Sequence, residues 1–456
     1  MDSKLNSSSQ QEEAEPPAIR PDFIPASSWL NPDNVRLEQE RLWPRVWQMA
    51  CREEELLTVG AFVNYEILDD SILIVRSGPG EDDLVAYYNV CQHRGRKLRV
   101  EKKGQLGRTI SCRFHGWQWT IDGKIAHVHQ RENWQGCPEF TDEAIALPQV
   151  KLARWGGWIW IHQGEDPQPL EEWLGEAGRL LGPFDMRSMR ARWWKTIAAP
   201  VNWRVVCEAF NEGYHVWSTH SMGVNYRSTG TLSVSFGDHS MFRGTVAGRL
   251  LSEYKTDDGS WKMAESVPEY LWAVERHTYR SLGAMTLEPT MAAAERVKAL
   301  PPDTPAMDVV AAMWAYQQEE FANRGLKWPE GLTREVIAAA GTDWHIFPNA
   351  VVLPTVDGAL WYRMRPNGPD PDSCVFDIWS FAHVPPGEER GMPEQEVFQG
   401  FQEFIGQCPF LEEDFLNLTA VNEGMKSRGW KGARTNPVQE VSITTFHKAL
   451  ARFLGE

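Results

Sequence analysis

The fold and chemistry of this chain are first indicated by residues 91–117, CQHRGRKLRVEKKGQLGRTISCRFHGW. Cys91-Gln92-His93 is followed, after 18 residues, by Cys112-Arg113-Phe114-His115. Each Cys/His pair follows a strand-like run and begins a turn, so two short loops are predicted to face each other. Two thiolates and two imidazoles on such loops suit either a zinc ion or an iron–sulfur cluster.

A structural zinc site is the simpler alternative for these four side chains. Zinc sites more often combine Cys-x-x-Cys with His-x(3–5)-His, whereas here each loop supplies one Cys and one His. In a Rieske cluster two Cys hold one iron and two His hold the other, which raises the reduction potential. The arrangement therefore favours a Rieske [2Fe-2S] cluster, with Cys91, His93, Cys112 and His115 as predicted ligands. The other five cysteines have no such spacing and are expected to be buried thiols.

The composition of the 456 residues excludes several classes of protein. Hydrophobic residues are 42% and charged residues 24%, which is typical of a globular chain. The formal net charge of −16 argues against nucleic-acid or anionic-membrane partners. No run of 18 apolar residues occurs and the N-terminus has no apolar core, so no membrane segment or secretion signal is expected. Seven cysteines, an odd and small number, indicate a reducing compartment, most simply the cytoplasm.

Hydrophobic periodicity divides the chain into a tail and two domains. Residues 1–30 are polar and contain prolines, which predicts a flexible tail. Alternating apolar residues and the Asp122-Gly123 hairpin signal predict an all-β domain over residues 40–165. Residues 170–456 begin with a helical pattern at 170–181 and are predicted to be an α+β domain. Its other strand-like stretches are 190–200, 229–255, 345–353, 359–365 and 374–382, and its helical patterns are 203–218, 306–324, 394–406, 411–426 and 440–454.

A second motif lies in residues 202–220, NWRVVCEAFNEGYHVWSTH. On a continuous helix, Glu208, Glu212 and His215 would lie on one face, with His220 about one turn further on. A solvated acidic face is the alternative, but the neighbouring residues are apolar and a carboxylate among them needs a partner. Two His and one carboxylate with open coordination positions are the set that binds Fe(II) for oxygen activation.

Together, Cys91-Gln92-His93-Arg94-Gly95 and Cys112-Arg113-Phe114-His115-Gly116-Trp117 resemble the cluster motif of Rieske non-haem iron oxygenases of the aromatic ring-hydroxylating type. The resemblance extends from about residue 30 to the C-terminal end. The family pattern acid-x3-acid-x2-His-x4-His matches the second motif, which implies that His215 and His220 bind a mononuclear iron. The third ligand of the family is an Asp that follows an acidic residue in a late helix. Asp414, after Glu412-Glu413, fits this position, and Asp343 and Asp377 are the alternative carboxylates.

The resemblance also implies an architecture and an activity. The expected fold is an all-β Rieske domain followed by a helix-grip (START-like) catalytic domain with an antiparallel sheet. The expected function is that of a terminal oxygenase (alpha-subunit type), which receives electrons from NAD(P)H through a reductase and a ferredoxin. It would insert oxygen from O2 into an aromatic or other bulky apolar substrate. The family works as a head-to-tail homotrimer, and the sequence leaves open whether a small β-subunit joins it.

Glu212 departs from the pattern of the ring-dihydroxylating relatives, which usually have Asp at this position. In the family this carboxylate joins a cluster-binding His of one subunit to an iron-binding His of its neighbour. Relatives with Glu there tend to be monooxygenating, so hydroxylation or oxidative N- or O-dealkylation is favoured. The alternatives are a cis-dihydroxylating ring dioxygenase alpha subunit and, from other classes, a non-catalytic Rieske electron carrier or a lipid-binding START-like protein.

The segment around the predicted cluster loops is basic, although the chain as a whole is acidic. Because ferredoxins are typically acidic, this segment is predicted to contact the electron donor. Its only acidic residue between the two Cys/His pairs is Glu101, and its basic residues are Arg94, Arg96, Lys97, Arg99, Lys102, Lys103, Arg108 and Arg113.

Overall fold

The structure, a computed structural model, describes residues 18–220, 223–225, 230–245, 251–388 and 391–455. In these residues the chain forms 22 strands. The first eleven are β1 (Ile24–Pro25), β2 (Gln48–Arg52), β3 (Ala61–Ile67), β4 (Asp70–Arg76), β5 (Leu84–Tyr88), β6 (Lys103–Gln105), β7 (Thr109–Ser111), β8 (Gln118–Thr120), β9 (Ile125–His127), β10 (Gln149–Trp155) and β11 (Trp158–His162). The others are β12 (Arg190–Ala199), β13 (Thr231–Phe236), β14 (His239–Gly244), β15 (Glu253–Lys255), β16 (Trp261–Met263), β17 (Asp343–Ile346), β18 (Ala350–Pro354), β19 (Gly358–Pro366), β20 (Cys374–Ala382), β21 (Gln395–Phe398) and β22 (Gly432–Ala433).

Twelve α-helices lie in the same described residues. They are α1 (Ser27–Leu30), α2 (Asn34–Leu37), α3 (Leu170–Leu181), α4 (Trp203–Ala209), α5 (Val216–Thr219), α6 (Val267–Ser281), α7 (Glu288–Lys298), α8 (Ala306–Asn323), α9 (Arg334–Ala340), α10 (Phe401–Phe404), α11 (Pro409–Met425) and α12 (Val441–Leu454). Among these helices, none is long and apolar enough to cross a lipid bilayer. Helical turns of other types are Glu38–Leu42, Trp43–Arg45, Glu53–Glu55, Arg131–Trp134 and Gly182–Phe184.

The N-terminal domain is built from strands, as the alternating sequence predicts. Seven strands form an antiparallel sheet in the order β2-β11-β10-β5-β4-β3-β6, and β7-β8-β9 form a separate three-stranded sheet. Side chains alternate across β3, so that Phe62 packs toward the small sheet while Val63 and Tyr65 pack toward the C-terminal domain. The sheet is therefore buried on both faces.

The C-terminal domain is α+β with a mainly antiparallel sheet, which confirms the expected fold class. Its eight strands follow the order β13-β14-β17-β18-β19-β20-β12-β21, and only the β12–β21 pair is parallel. Helix α4 packs on one face of this sheet, where the ring of Phe210 lies 4.9 Å from that of Tyr362 and 5.1 Å from that of Phe376. This face carries the second motif. The opposite face meets the N-terminal domain.

Aromatic side chains join the two domains through a shared core. The ring of Trp158 on β11 lies 5.7 Å from Trp361 and 4.8 Å from Trp379, both on the large sheet. Arg363, on the same sheet face, donates a hydrogen bond to the Met49 carbonyl at 2.8 Å. The domains therefore pack directly against each other. The domain boundaries expected from the sequence, 40–165 and 170–456, stay a prediction.

Part of the predicted flexible tail is folded. Residues 1–17 lie outside the described residues, but β1 pairs with β22 and Trp29 on α1 is only 3% exposed. The Trp29 indole N–H donates to the Glu208 carboxylate at 2.6 Å. The prediction of a tail is wrong for residues 24–30, because two apolar side chains, Ile24 and Trp29, are buried against the C-terminal domain.

Two further predictions differ from the structure. The helical pattern at 394–406 is strand β21 followed by helix α10, because Gly400 between them has φ of 137°, which a helix does not accommodate. Cys137, expected to be a buried thiol, is exposed, whereas the other six cysteines are buried and all seven are free.

Candidate metal centres

The two predicted cluster loops have matching backbone geometry. The Cys91 N–H donates to the Arg96 carbonyl at 2.8 Å, and the Gly95 N–H donates to the Cys91 carbonyl at 2.9 Å. The second loop repeats both bonds, from Cys112 to Trp117 at 2.8 Å and from Gly116 to Cys112 at 3.1 Å. Gly95 and Gly116 have φ of 71° and 73°, which favours glycine. Each tight turn therefore presents one Cys and one His at the same edge of the domain.

The four side chains of these loops lie together. Cys91 and Cys112 are both 3% exposed, and the rings of His93 and His115 are 4.6 Å apart. Burial, and to a smaller degree the neighbouring Cys112, raise the pKa of Cys91. Burial, with help from the neighbouring His115 and Arg94, lowers the pKa of His93, which keeps its imidazole neutral as a metal ligand requires. His93 Nδ1 is buried and has no hydrogen-bond partner among the described residues. This donor set fits a two-Cys, two-His iron–sulfur cluster.

The second motif does not form one continuous helix. Helix α4 ends at Ala209, residues 211–215 form a turn, and α5 begins at Val216. The predicted single helical face is therefore wrong. Glu212 explains the turn, because its Oε2 accepts the backbone N–H groups of Tyr214 and, at 3.3 Å, of His215. A side-chain acceptor that satisfies free N–H groups competes with a continuing helix.

Three predicted metal ligands converge at the end of this turn. His215 Nε2 lies 3.3 Å from His220 Nε2 and 3.4 Å from Asp414 Oδ1, and His220 Nε2 lies 3.3 Å from the same oxygen. Ligand atoms about 2.1 Å from one metal ion and at right angles to each other are about 3 Å apart. The His220 and Asp414 side chains are 3% and 5% exposed, and that of His215 is 24% exposed. One face of the group therefore stays open, which suits a two-His, one-carboxylate iron site.

Carboxylates hold both imidazoles in one orientation. His215 Nδ1 lies 2.6 Å from Glu212 Oε1, and His220 Nδ1 lies 2.9 Å from Glu413 Oε2. Because an ionised carboxylate only accepts hydrogen bonds, each Nδ1 is the donor, and in the neutral ring the Nε2 lone pair faces the metal position. Glu413 was not predicted from the sequence, although its place directly before Asp414 could have indicated it.

The alternative carboxylates have other surroundings. Asp377 lies on the sheet face that meets the N-terminal domain, where its Oδ2 accepts from Arg363 and Arg365. Asp343 lies on β17 and is 3% exposed, and burial raises its pKa. Neither joins the His215, His220 and Asp414 group of potential metal ligands.

The first acidic residue of the motif, Glu208, faces away from the two His. Its Oε1 accepts from the Trp29 indole and lies 2.7 Å from His447 Nε2 on α12. Glu208 therefore ties α4 to the N-terminal segment and to the last helix, and His447 is a buried partner that the sequence pattern did not indicate.

Replacing Glu413 with Gln is expected to weaken iron binding. The change removes the charge that orients His220 and makes its imidazole a stronger ligand, and losing such a partner typically costs about 10- to 100-fold in metal affinity. Competition with a chelator measures the effect. The control is Glu412→Gln, because Glu412 accepts backbone N–H groups of Gly406 and Cys408 instead. Equal iron affinity in both variants would contradict this role for Glu413.

Iron binding to the metal-free protein is expected to strengthen as the pH rises toward 9. Burial disfavours the charged form of His220, but Asp414 and Glu413 outweigh it and raise the pKa of His220 to about 9. Below that pH the ring carries a proton that iron must displace, so affinity falls by up to about tenfold per pH unit. Above it the ring is neutral and the dependence levels off. Anaerobic, chelator-buffered iron titrations between neutral pH and pH ~9 measure the slope, and a flat profile contradicts the prediction.

Four basic residues of the cluster segment lie in two different places. Lys102 and Lys103 line a cavity between the domains. Arg94 and Arg113 stay at the loops, where the Arg94 guanidinium lies 5.7 Å from the Phe114 ring centroid and the Arg113 side chain is 68% exposed. The predicted donor contact is therefore better represented by Arg94 and Arg113 than by the two lysines.

Two family models match the chain over the regions that hold these centres. One is described as the Rieske [2Fe-2S] domain and matches residues 46–147. The other is described as the ring hydroxylating alpha subunit (catalytic domain) and matches residues 186–456, more than half of the chain.

Several curated proteins are similar over part of their length. The glycine betaine monooxygenase oxygenase subunit of Pseudomonas aeruginosa is 26% identical over 197 residues, 43% of this chain and 44% of that protein. The carnitine monooxygenase oxygenase subunit of Escherichia coli is 28% identical over 200 residues, 43% and 52% of the two chains. The anthranilate 1,2-dioxygenase large subunit of Acinetobacter baylyi is 28% identical over 214 residues, 45% and 43% of the two chains. The chain thus spans about half the length of the curated relatives it matches.

Solved structures share the whole fold. An apo quaternary ammonium Rieske monooxygenase superposes with a TM-score of 0.60 at 16% identity, covering 95% of this chain and 96% of that one. Naphthalene 1,2-dioxygenase with bound indole gives a TM-score of 0.60 at 15% identity, covering 95% and 92%. At these identities the likeness shows the fold alone.

Proposed function

The chain belongs to the ring-hydroxylating alpha subunit family of Rieske oxygenases, and from this membership we propose that it is the terminal oxygenase of a multicomponent system. The observation that carries the proposal is the convergence of His215, His220 and Asp414 within 3.3–3.4 Å of one another, with one side of the group open. An electron carrier or a lipid-binding protein does not need a mononuclear metal site of this kind.

The family's two domains bind one [2Fe-2S] cluster and one mononuclear iron per chain. We propose that Cys91, Cys112, His93 and His115 hold the cluster and that His215, His220 and Asp414 hold the iron. When bound, the cluster supplies single electrons and the mononuclear iron activates O2 for insertion into the substrate.

The chain's own residues prepare this chemistry in three ways. Glu212 and Glu413 fix the tautomers of the two iron-facing imidazoles, and both raise their basicity. The Phe410 ring stacks on His220 at 3.9 Å, which covers one side of the site with an apolar surface. Such a surface excludes water from the place where substrate would bind.

The proposed reaction is a monooxygenation, that is, hydroxylation or oxidative N- or O-dealkylation of an aromatic or bulky apolar substrate. Support comes from Glu212, in place of the Asp of ring-dihydroxylating relatives, and from two curated relatives that are named monooxygenases. The second candidate, cis-dihydroxylation, is favoured by the similarity to the large subunit of a 1,2-dioxygenase.

Product analysis with 18O2 tests the proposed function. The reconstituted chain, its electron source and a panel of aromatic ethers, amides, acids and quaternary amines should yield a product with one labelled oxygen, or an aldehyde released by dealkylation. Two labelled oxygens in a cis-diol would support the second candidate. An oxygenase carries three irons per chain, two in the cluster and one mononuclear, whereas a chain with only two and no turnover would be an electron carrier.

The proposed partners are a ferredoxin, an NAD(P)H-dependent reductase and two further copies of the chain. A homotrimer in head-to-tail order closes by symmetry and brings the cluster loops of one subunit to the iron site of the next. Because the proposed electron source is NAD(P)H, the cytoplasm is the proposed compartment. Sedimentation or mass photometry of the holoprotein tests the trimer.

Reversing the charge of Arg113 is expected to impair the contact with the electron donor. Arg113→Glu should raise the donor KM by about 3- to 10-fold, since complementary charge at an interface rim mainly speeds association. Added salt should slow the wild type more than the variant. Arg179→Glu, equally exposed but on α3, is the control. An identical salt response of all three proteins, with an intact cluster spectrum, would place the docking site elsewhere.

A further inference from the structure

A cavity of about 540 Å³ lies between the two domains, away from both metal centres. Its walls come from β3 and β6 of the N-terminal domain and from β12, β19 and β20 of the large sheet. Arg363 and Asp377 point into it, whereas their strand neighbours Tyr362 and Phe376 pack with Phe210 on the opposite face. The sheet therefore separates this cavity from the second motif.

The carboxylate at the base of the cavity already has all its partners. Asp377 accepts from the Thr196 hydroxyl at 2.7 Å, from Arg363 at 2.8 and 3.1 Å, and from Arg365 at 3.1 Å. Both arginines continue into the N-terminal domain, Arg363 to the carbonyls of residues 49 and 50 and Arg365 to that of Glu66 at 2.6 Å. Whatever occupies the cavity therefore touches the groups that join the domains.

The wall carries as many cations as carboxylates, although the chain as a whole has a net charge of −16. Its cations are Arg363, Arg365, Lys102 and Lys103, and its carboxylates are the buried Asp377, the half-buried Glu55, and Glu66 and Glu394. Burial raises the pKa of Glu55. At the rim, Glu66 is paired with Lys97 at 2.7 Å and Glu394 is exposed to solvent.

The wall also has more unpaired hydrogen-bond donors than unpaired acceptors. The Tyr65 hydroxyl, the Trp194 and Trp379 indole N–H groups and Arg365 Nε have no hydrogen-bond partner among the described residues. Tyr65 and Trp379 are 2% and 1% exposed. The corresponding acceptor without a donor is Asn64 Oδ1. A buried polar group without a partner is costly and indicates a water or an ion at the site, and here the excess of donors favours an anion.

We propose that this cavity binds a small organic carboxylate, preferably an aromatic one. The ammonium groups of Lys102 and Lys103 supply the charge for the carboxylate, and the unpaired Nε–H of Arg365 and hydroxyl of Tyr65 supply further donors. The Lys103 ammonium lies 5.9 Å from the Trp194 ring centroid, so it already spans from one domain to the other. The rings of Trp194 and Tyr65 give the cavity an apolar surface that an inorganic anion does not use. A ligand held by both domains stabilises their packing.

Calorimetric titration and thermal unfolding of the holoprotein test the proposal, with benzoate as the probe. Benzoate should bind with one site per chain and raise the unfolding temperature in a concentration-dependent way. Benzamide, which has the same shape without the charge, should bind at least about tenfold more weakly, since hydrogen bonds to a charged group are the stronger ones. Inorganic phosphate should also bind more weakly, and equal binding of phosphate would overturn the preference for an organic ligand.

Matched variants locate the binding. Lys103→Met and Trp194→Phe should each weaken benzoate binding at least about fivefold, by loss of a cation or of an N–H donor. Lys151→Met and Trp261→Phe, both exposed and outside the cavity, should leave it unchanged. His215→Ala should also bind benzoate normally, because the iron site is separate. Loss of binding in His215→Ala with normal binding in Lys103→Met would place benzoate at the iron site and overturn the proposal, as would the absence of saturable binding. Neither result bears on whether the chain oxidises a substrate.

Discussion

His215→Ala is expected to abolish substrate oxidation and to release the mononuclear iron while leaving the visible and EPR spectra of the cluster intact. The reason is that the His215 imidazole supplies one of the three potential ligand atoms of the mononuclear site. The cluster loops lie in the other domain and share no ligand with that site. The loss should exceed the ~10- to 100-fold typical of removing only a residue that orients a ligand. Iron analysis, spectroscopy and single-turnover product formation measure the three effects.

Two further variants serve as controls for the His215→Ala experiment. His129→Ala, an exposed imidazole in the N-terminal domain, should leave activity and iron content unchanged. Cys112→Ser should have the opposite effect to His215→Ala, because it removes the cluster spectrum. It should also lower the stability of the N-terminal domain, because binding of the cluster contributes to the folding free energy of that domain. Retained turnover in an iron-replete His215→Ala protein would mean that this histidine is not a ligand.

The parts of the fold that depend on local sequence were predictable. Helix α3 and strand β20 occur at the residues 170–181 and 374–382 that periodicity indicates. Each Cys/His loop needs only a short turn with glycine at a fixed place. The spacing of Cys, His and Gly in the sequence was therefore enough to predict the geometry of the two loops. The proposed iron ligand Asp414 is almost 200 residues from His220, and only the resemblance to a family indicated it.

Where the prediction failed, side-chain contacts that periodicity does not describe overrode a local pattern. The spacing of Glu208, Glu212 and His215 suits a continuous helix, but Glu212 binds the backbone of the following turn and Glu208 binds Trp29 and His447. Trp29 itself lies in a segment whose composition predicts disorder. The interdomain cavity could not be predicted from the sequence either, because its wall combines residues separated by some 300 positions, such as Tyr65 and Arg363. Such partners are set by how the domains pack, and periodicity carries no information on that.

Glu212→Gln is expected to retain both metals and still slow the oxidation of the reduced cluster by about 10- to 100-fold. The carboxylate lies 2.6 Å from His215 Nδ1 and also accepts backbone N–H groups of the turn. Gln keeps an oxygen for the turn but removes the negative charge beside the imidazole. Stopped-flow absorbance of the pre-reduced protein, mixed with substrate and O2, measures the rate directly. Iron and cluster content are measured on the same sample.

Glu208→Gln is the matched control for this experiment, since it changes the same group on the same segment but faces Trp29 and His447. It should lower thermal stability without changing the rate of cluster oxidation. Loss of iron from Glu212→Gln would instead make Glu212 a ligand, and an unchanged rate would remove it from the path between the centres. The slower rate with both metals present is the outcome that separates a bridging carboxylate from either alternative. In the proposed trimer the cluster comes from a second subunit, so the defect should vanish in a protein held as a monomer, where wild type and variant would be equally slow.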